Sequence, residues 1–369
     1  MIIDEGAIRE QVKEGKRSHD VERVLAQAEE GNGLTATETS TLLQNLDCGR
    51  LEHAVHVATK IKSASKGNVA ALFTCLYITN SCENDCGYCG YRESNSDLIR
   101  ITLTSDEISE EARVIQDGGV SNAILVGGTI REERYKQLII DGTKQVRDAG
   151  LHPWIEFENL SPDTLREIHA AGADNFILFQ ETYDRQRYAR LHGRNSIKRD
   201  YDVRLQKIDE AIDAGFSNVG IGALFGLNGN DVFEVLGLYH HAQYLKDKRV
   251  GVCISAPTLK PAPGLTISHQ RMSDEEVIKI YTVLRLALPN VSLALSGREK
   301  IDLRNRLFPI VDQIGSGGIP NPGGRTSHQE EYRKGDAQFR LFDTRSPQEV
   351  TQYLLGRGIE VRCQVDWGS

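Results

Sequence analysis

Four of the seven cysteines in this chain fall within fifteen residues, and three of them, Cys82, Cys86 and Cys89, stand in the spacing C-x3-C-x2-C. Three thiolates on one short loop can hold three irons of a cubane 4Fe–4S cluster and leave the fourth iron open to a ligand, whereas electron-transfer clusters are normally held by four protein thiolates. That open position implies catalysis. The competing reading is a structural zinc completed by a histidine or a distant thiolate. Asn84 and Asp85 let the loop turn, and Gly87 and Gly90 are expected to bring amides close to the sulfurs. Cys75 precedes the cluster, and Cys48, Cys253 and Cys363 are scattered, a pattern that suits no extracellular disulfide framework.

Other polar residues gather at the ends of short apolar runs. LVGGT, residues 125–129, offers the exposed amides of Gly127, Gly128 and Thr129 to an anion or polar ligand. Glu158 in EFENL, Glu181 in FQETY, Lys260 in PTLKP and Arg298 in SGREK follow four later runs. Tyr88, an aromatic between two cluster thiolates, can lie against a planar ligand group. Each of these residues also has an ordinary reading as a solvated rim or turn residue.

Something must hold these positions together, and the chain's length and texture say what. The 369 residues carry a net charge of −8 and 39% apolar side chains, enough for one large core. A pI of 5.8 argues against broad capture of nucleic acid or anionic lipid. MIIDEGAIREQVKEG reads as neither a secretory nor a membrane segment, so a cytoplasmic location is expected. Residues 1–67 read as a helical preface, with Gly15, Gly31 and Gly49 as punctuation and Thr35 with Glu38 as a capping box. From residue 68 to 324, eight apolar runs such as ALFTCLYIT, NAILVGGT and HPWIEFENL alternate with amphipathic helices that end in AG or GG. That rhythm predicts an α/β fold, a TIM-type (β/α)8 barrel, closed or partly open, with the polar residues on its catalytic rim. Residues 325–369 contain a helix capped by Ser346 and Glu349 and are expected to cover the rim or the base.

The cysteine motif and the barrel resemble the radical S-adenosylmethionine superfamily. FQETYDRQRYARLHGRNSIKRDYDVRL is similar to its aromatic-amino-acid lyase branch, which contains 2-iminoacetate synthases, tyrosine lyases and tryptophan lyases. The resemblance implies one 4Fe–4S cluster on Cys82, Cys86 and Cys89, with S-adenosylmethionine bound at the open iron. It implies that Tyr88 lies on the adenine side and that Gly127, Gly128 and Thr129 lie near the methionine amino group. Glu181 is placed on the ribose and Arg204 on the methionine carboxylate. Arg298 matches the arginine that fixes a substrate carboxylate. The implied activity is a carbon–carbon lyase that uses a 5′-deoxyadenosyl radical on an amino acid, L-tyrosine among the candidates, with flavodoxin or ferredoxin as a low-potential electron donor. The alternative is another radical reaction on a small metabolite, such as a rearrangement or cofactor assembly.

The sequence also departs from that branch. Thr258 and Lys260 stand where two arginines are expected, Gly318 replaces a serine, and EFENL adds carboxylates to a strand ending. Glu158, Lys260 and Arg298 are therefore the substrate-side candidates. Only Cys363 lies in the C-terminal part, so no second cluster is expected, and neither nucleic acid nor membrane is expected as a partner.

Overall fold

The apolar runs become strands because their branched and aromatic residues can be buried on both faces, as a parallel barrel requires. The computed structural model describes residues 2–193, 195–227, 229–267, 271–330 and 337–368. Its strands are β1 (Val69–Thr79), β2 (Asn122–Gly127), β3 (His152–Glu156), β4 (Asn175–Ile177), β5 (Asn218–Gly222), β6 (Gly251–Ser255), β7 (Ser292–Leu295) and β8 (Gln313–Gly315). Each pairs in parallel with the next, and β1 pairs with both β2 and β8, so the barrel is closed. Of the two expected forms, the closed one is observed.

Four helices precede the barrel: α1 (Glu5–Arg17), α2 (Val21–Glu29), α3 (Ala36–Asn45) and α4 (Cys48–Lys66). The outer ring follows as α5 (Ser105–Asp117), α6 (Lys136–Asp148), α7 (Pro162–Ala170), α8 (Arg185–Leu191), α9 (Tyr201–Asp213), α10 (Asp231–Lys246), α11 (Asp274–Ala287) and α12 (Ile301–Leu307). The helix ends behave as the AG rhythm predicts: Gly150, after α6, takes a φ of 82° that an alanine would resist. The preface differs from its expected punctuation. Gly15 and Gly49 lie inside α1 and α4, and a Cβ on Gly15 would stand 2.3 Å from Ser40 Oγ, so this glycine serves close helix contact. The capping box of Thr35 and Glu38 forms as expected. The preface lies against the barrel's flank, where Tyr239 Oη of α10 donates to Leu34 O at 3.0 Å and Leu34 N to Ala287 O at 3.2 Å.

The C-terminal stretch serves both ends of the barrel. Gln338 and Phe339 lie over the mouth, and the chain then passes through α13 (Pro347–Gly356), with its Ser346–Glu349 capping box, to β9 (Glu360–Arg362). β9 pairs with Val69–Ala71 at the start of β1. Trp367 closes the base: its ring meets Trp154 edge to face at 5.0 Å, and its carbonyl accepts from Val252 N at 3.1 Å. No helix among the described residues is long and apolar enough to cross a membrane.

Candidate active site

Beyond the C-terminal end of β1, the cysteine loop is latched at several points. Arg100 donates to the carbonyls of Asn80, Tyr91 and Arg92, which fixes both ends of the loop. Asp85 N donates to Ser196 Oγ at 2.9 Å and Lys198 N to Asn84 Oδ1 at 3.1 Å, which ties the loop to residues 196–198. The amides that approach sulfur are those of Asn84, 3.4 Å from Cys82 Sγ, and Tyr91, 3.4 Å from Cys89 Sγ. This corrects the expectation for Gly87 and Gly90, whose amides donate to Leu191 O and Gln338 O. Both glycines are needed for space: a Cβ on Gly90 would lie 2.5 Å from Ala337 O.

Burial pushes the Cys82 thiol up to about 11, with Cys89 adding to the rise and the Asn84 and Thr129 amides opposing it. Burial raises Cys86 and Cys89 as well. Thiols in this condition ionise when a cation takes the proton's place, which is the situation of a cluster ligand. Among the described residues no three such side chains close on a point that would hold a single ion. Thiolates of a cubane each bind a different iron and stand apart.

LVGGT ends β2 directly beside this loop. Thr129 O accepts from Glu83 N at 2.7 Å, and Gly128 N donates to Thr79 O at 3.1 Å. A Cβ on Gly128 would sit 2.1 Å from Ser81 O, so only glycine lets the two loops meet. Gly128→Ala should separate them and lower the iron bound after anaerobic reconstitution to less than half of the wild-type value. Equal iron content in the two proteins would show that this contact does not position the loop.

Three acidic and basic side chains expected at the rim come together with one that was missed. Arg204, on α9, places Nη1 2.8 Å from Glu158 Oε1 and Nη2 3.9 Å from Glu181 Oε1, while its Nε donates to Phe179 O at 2.6 Å. Lys198 Nζ lies 2.6 Å from the same Glu181 oxygen. Burial alone would raise the Glu181 carboxyl, but Lys198 and Arg204 hold it below the usual range. Glu181 has a φ of 70°, a left-handed backbone that a glutamate keeps only where its surroundings enforce it. Lys198 follows a loop with no periodic signal, so its role was not legible in the sequence. Beside this cluster, His192 uses Nδ1 on Tyr188 O at 3.0 Å, which leaves Nε2 to accept from Tyr88 Oη at 2.9 Å. Burial, with Lys198 and Arg204 nearby, keeps that imidazole neutral.

Under the rim lies a cavity lined by Phe73, Tyr77, Tyr88, Trp154, Phe179 and other largely apolar side chains. Arg298 opens onto it, with its guanidinium 3.4 Å above the Phe339 ring. The other two substrate-side candidates, Glu158 and Lys260, are both held in ion pairs. Glu158, two residues past the end of β3, pairs with Arg204, while Glu156 at the end of that strand lines the cavity together with Glu181. Lys260 reaches the cavity, but its Nζ is 2.5 Å from Glu299 Oε2, and Thr258 donates its amide and hydroxyl to the other oxygen. Thr258, Lys260 and Glu299 thus form a closed network where two free arginines were the pattern.

A rim site with three neighbouring cysteines, Cys86 buried and Cys82 and Cys89 partly so, set on a closed parallel barrel, can be compared directly with known proteins. Residues 76–239 match the Radical SAM superfamily model, and residues 255–360 match the Biotin and Thiamin Synthesis associated domain. HydG, a maturase of the FeFe-hydrogenase, superposes with a TM-score of 0.89 at 30% identity, covering 98% of this chain and 81% of that one. The chain belongs to the radical S-adenosylmethionine superfamily. It is a radical S-adenosylmethionine enzyme, and it is 28% identical to the 2-iminoacetate synthase of Escherichia coli (strain K12) over 96% of its own length and 92% of that protein's. Methylornithine synthase (PylB), at 23% identity and a TM-score of 0.72, shares the fold. Membership in the radical S-adenosylmethionine superfamily implies a 4Fe–4S cluster, S-adenosylmethionine, a reductant and a small-molecule substrate. The donor set fits: buried and partly buried thiols with amides aimed at two sulfurs, beside a charged rim.

Proposed function

We propose that this enzyme is a carbon–carbon lyase acting on an α-amino acid with an apolar or aromatic side chain, L-tyrosine being the first candidate. The observation that carries this reading is Arg298. Its guanidinium opens into a cavity walled by aromatic side chains, and among the described residues it has no ion pair or hydrogen bond to spend its charge on. A planar donor pair in that position recognises a carboxylate. The similarity to 2-iminoacetate synthase and HydG over nearly the whole chain supports a lyase of that branch.

Cys82, Cys86 and Cys89 would hold the cluster, and Gly127, Gly128, Thr129, Glu181 and Arg204 would hold S-adenosylmethionine with Tyr88 at its adenine. When bound and reduced by a donor such as flavodoxin or ferredoxin, the pair supplies a hydrogen-abstracting 5′-deoxyadenosyl radical. This chain's residues then have three tasks. Glu181, Lys198 and Arg204 fix a charged rim above the cavity, the apolar walls exclude water, and Arg298 holds the substrate so that one of its hydrogens faces the rim.

Arg298→Ala should keep the cluster absorbance and slow, uncoupled cleavage of S-adenosylmethionine. It should lose substrate-stimulated 5′-deoxyadenosine formation by about 100-fold, because an unclamped substrate no longer presents its reacting hydrogen. The measurement is anaerobic turnover with a panel of amino acids and small metabolites, with products identified by mass. Normal stimulation in the mutant, or stimulation only by compounds without a carboxylate, would reject the amino-acid reading in favour of a rearrangement or cofactor-assembly reaction.

A further inference from the structure

Alternation along β3 puts Trp154 and Glu156 on its inward face, where both line the cavity, and Glu158 follows two residues past the strand's end. Glu158 is paired with Arg204. The other carboxylates at this end are also committed, Glu181 to Lys198 and Glu299 to Lys260. Glu156 differs from them. It lines the cavity above the Trp154 ring, and among the described residues it makes no hydrogen bond and no ion pair. Across the same space the Arg298 guanidinium, stacked on Phe339, likewise has no hydrogen bond or ion pair among the described residues, and its charge acts on Glu156 without contact. A desolvated carboxylate and a guanidinium held apart inside an apolar chamber are costly unless a ligand takes both. An α-amino acid carries the complementary charges on neighbouring atoms.

We propose that Glu156 anchors the ammonium group of the substrate while Arg298 takes its carboxylate. The assignment rests on the amino-acid reading of the cavity and adds to it the requirement for a protonated amine. It leaves the side chain to the apolar wall formed by Phe73, Ile124, Trp154 and Ile177.

Burial, reinforced by Glu181, pushes the Glu156 carboxyl up to about 7, against Arg298, Arg204 and Lys198. Cys75 and Tyr77 on β1 also face it. The ion pair therefore forms above that pH and is lost as acid protonates Glu156.

The test uses the reconstituted holoenzyme with S-adenosylmethionine and no reductant, so that binding is read without turnover. Affinities of the standard L-amino acids are measured by calorimetry, together with 3-(4-hydroxyphenyl)propionate, which is tyrosine without its amine. Glu156→Gln should weaken L-tyrosine, or whichever amino acid binds most tightly, by about 10- to 100-fold. It should leave the deamino acid unchanged. The wild-type affinity for the amino acid should fall as pH drops through 7, and that of Glu156→Gln should stay flat. If Glu156→Gln binds the amino acid normally while Arg298→Ala does not, the ammonium assignment is overturned and the amino-acid reading stands. Equal weakening of the amino acid and its deamino counterpart would assign Glu156 to cavity shape and overturn the proposal too. If the wild type binds no amino acid, the functional reading itself is wrong and this assignment falls with it.

Discussion

Cys86→Ala protein, reconstituted anaerobically with iron and sulfide, should cleave no more S-adenosylmethionine than a protein-free control. Cys86 is the most enclosed of the three thiols, packed with Tyr88, Leu191, Leu224 and Leu259. No other cysteine can move into its place, because Cys75 and Cys253 belong to barrel strands and Cys48 and Cys363 are at exposed positions away from the loop. Two remaining thiolates leave a second iron without a protein ligand, and the site loses its defined open position. Iron and sulfide analysis, cluster absorbance and 5′-deoxyadenosine yield on one preparation make the check. Wild-type yield from this variant, or active wild-type protein holding zinc and no iron, would refute the assignment.

The second large effect is expected at Arg204, and it concerns stability as much as binding. Its side chain is 5% exposed and stands between Glu158 and Glu181. Arg204→Met fills much of the same space but strands Glu158 without a cation, and removing one partner of a buried pair typically costs about 3–5 kcal/mol. Guanidinium chloride unfolding should report a loss of that size, with binding of S-adenosylmethionine falling below detection. Arg204→Lys restores charge but not the fork, so it should recover much of the stability and little of the binding. The sign of the pH dependence follows from Glu181. Its carboxyl sits below the ordinary 4.5 in the folded protein, so its contribution is complete above that value and declines as pH falls further. An unchanged midpoint in Arg204→Met would mean that the ion pairs contribute nothing measurable.

Much of this architecture is written in the order of residues. The eight strands lie where apolar runs end in polar residues, and the cysteine loop follows the first of them, because continuous apolar runs and glycine at helix ends are local signals. The pairings within the site are of another kind. Glu158 meets Arg204 across 46 positions of sequence, and Lys260 meets Glu299 across 39. Nothing local in EFENL says that the later glutamate is taken by a helix arginine and the earlier one is left for the cavity. The alternation in WIE did place Glu156 on the face of Trp154, which was the signal available for it. Lys198, in the short 3-10 turn Ile197–Arg199 between α8 and α9, had no such signal, and Glu299 was masked by the more conspicuous arginine before it.

The strand that carries the cysteine loop is also the seam of the barrel. β1 is made early, yet its partners β8 and β9 lie more than 200 residues later in the chain, and the residues over the mouth, Gln338 and Phe339, come from the same late stretch. During synthesis, at about 5–20 residues per second, the three cysteines therefore emerge well before the wall beside them or the cover above them exists. For roughly ten seconds or more the loop stands at an open edge, accessible to whatever delivers iron and sulfide. Once Gln338 and Phe339 are in place, the mouth beside the loop has its cover. The order of the chain thus leaves the cysteine loop without its neighbouring strand and its cover until residues 313–339 have been made.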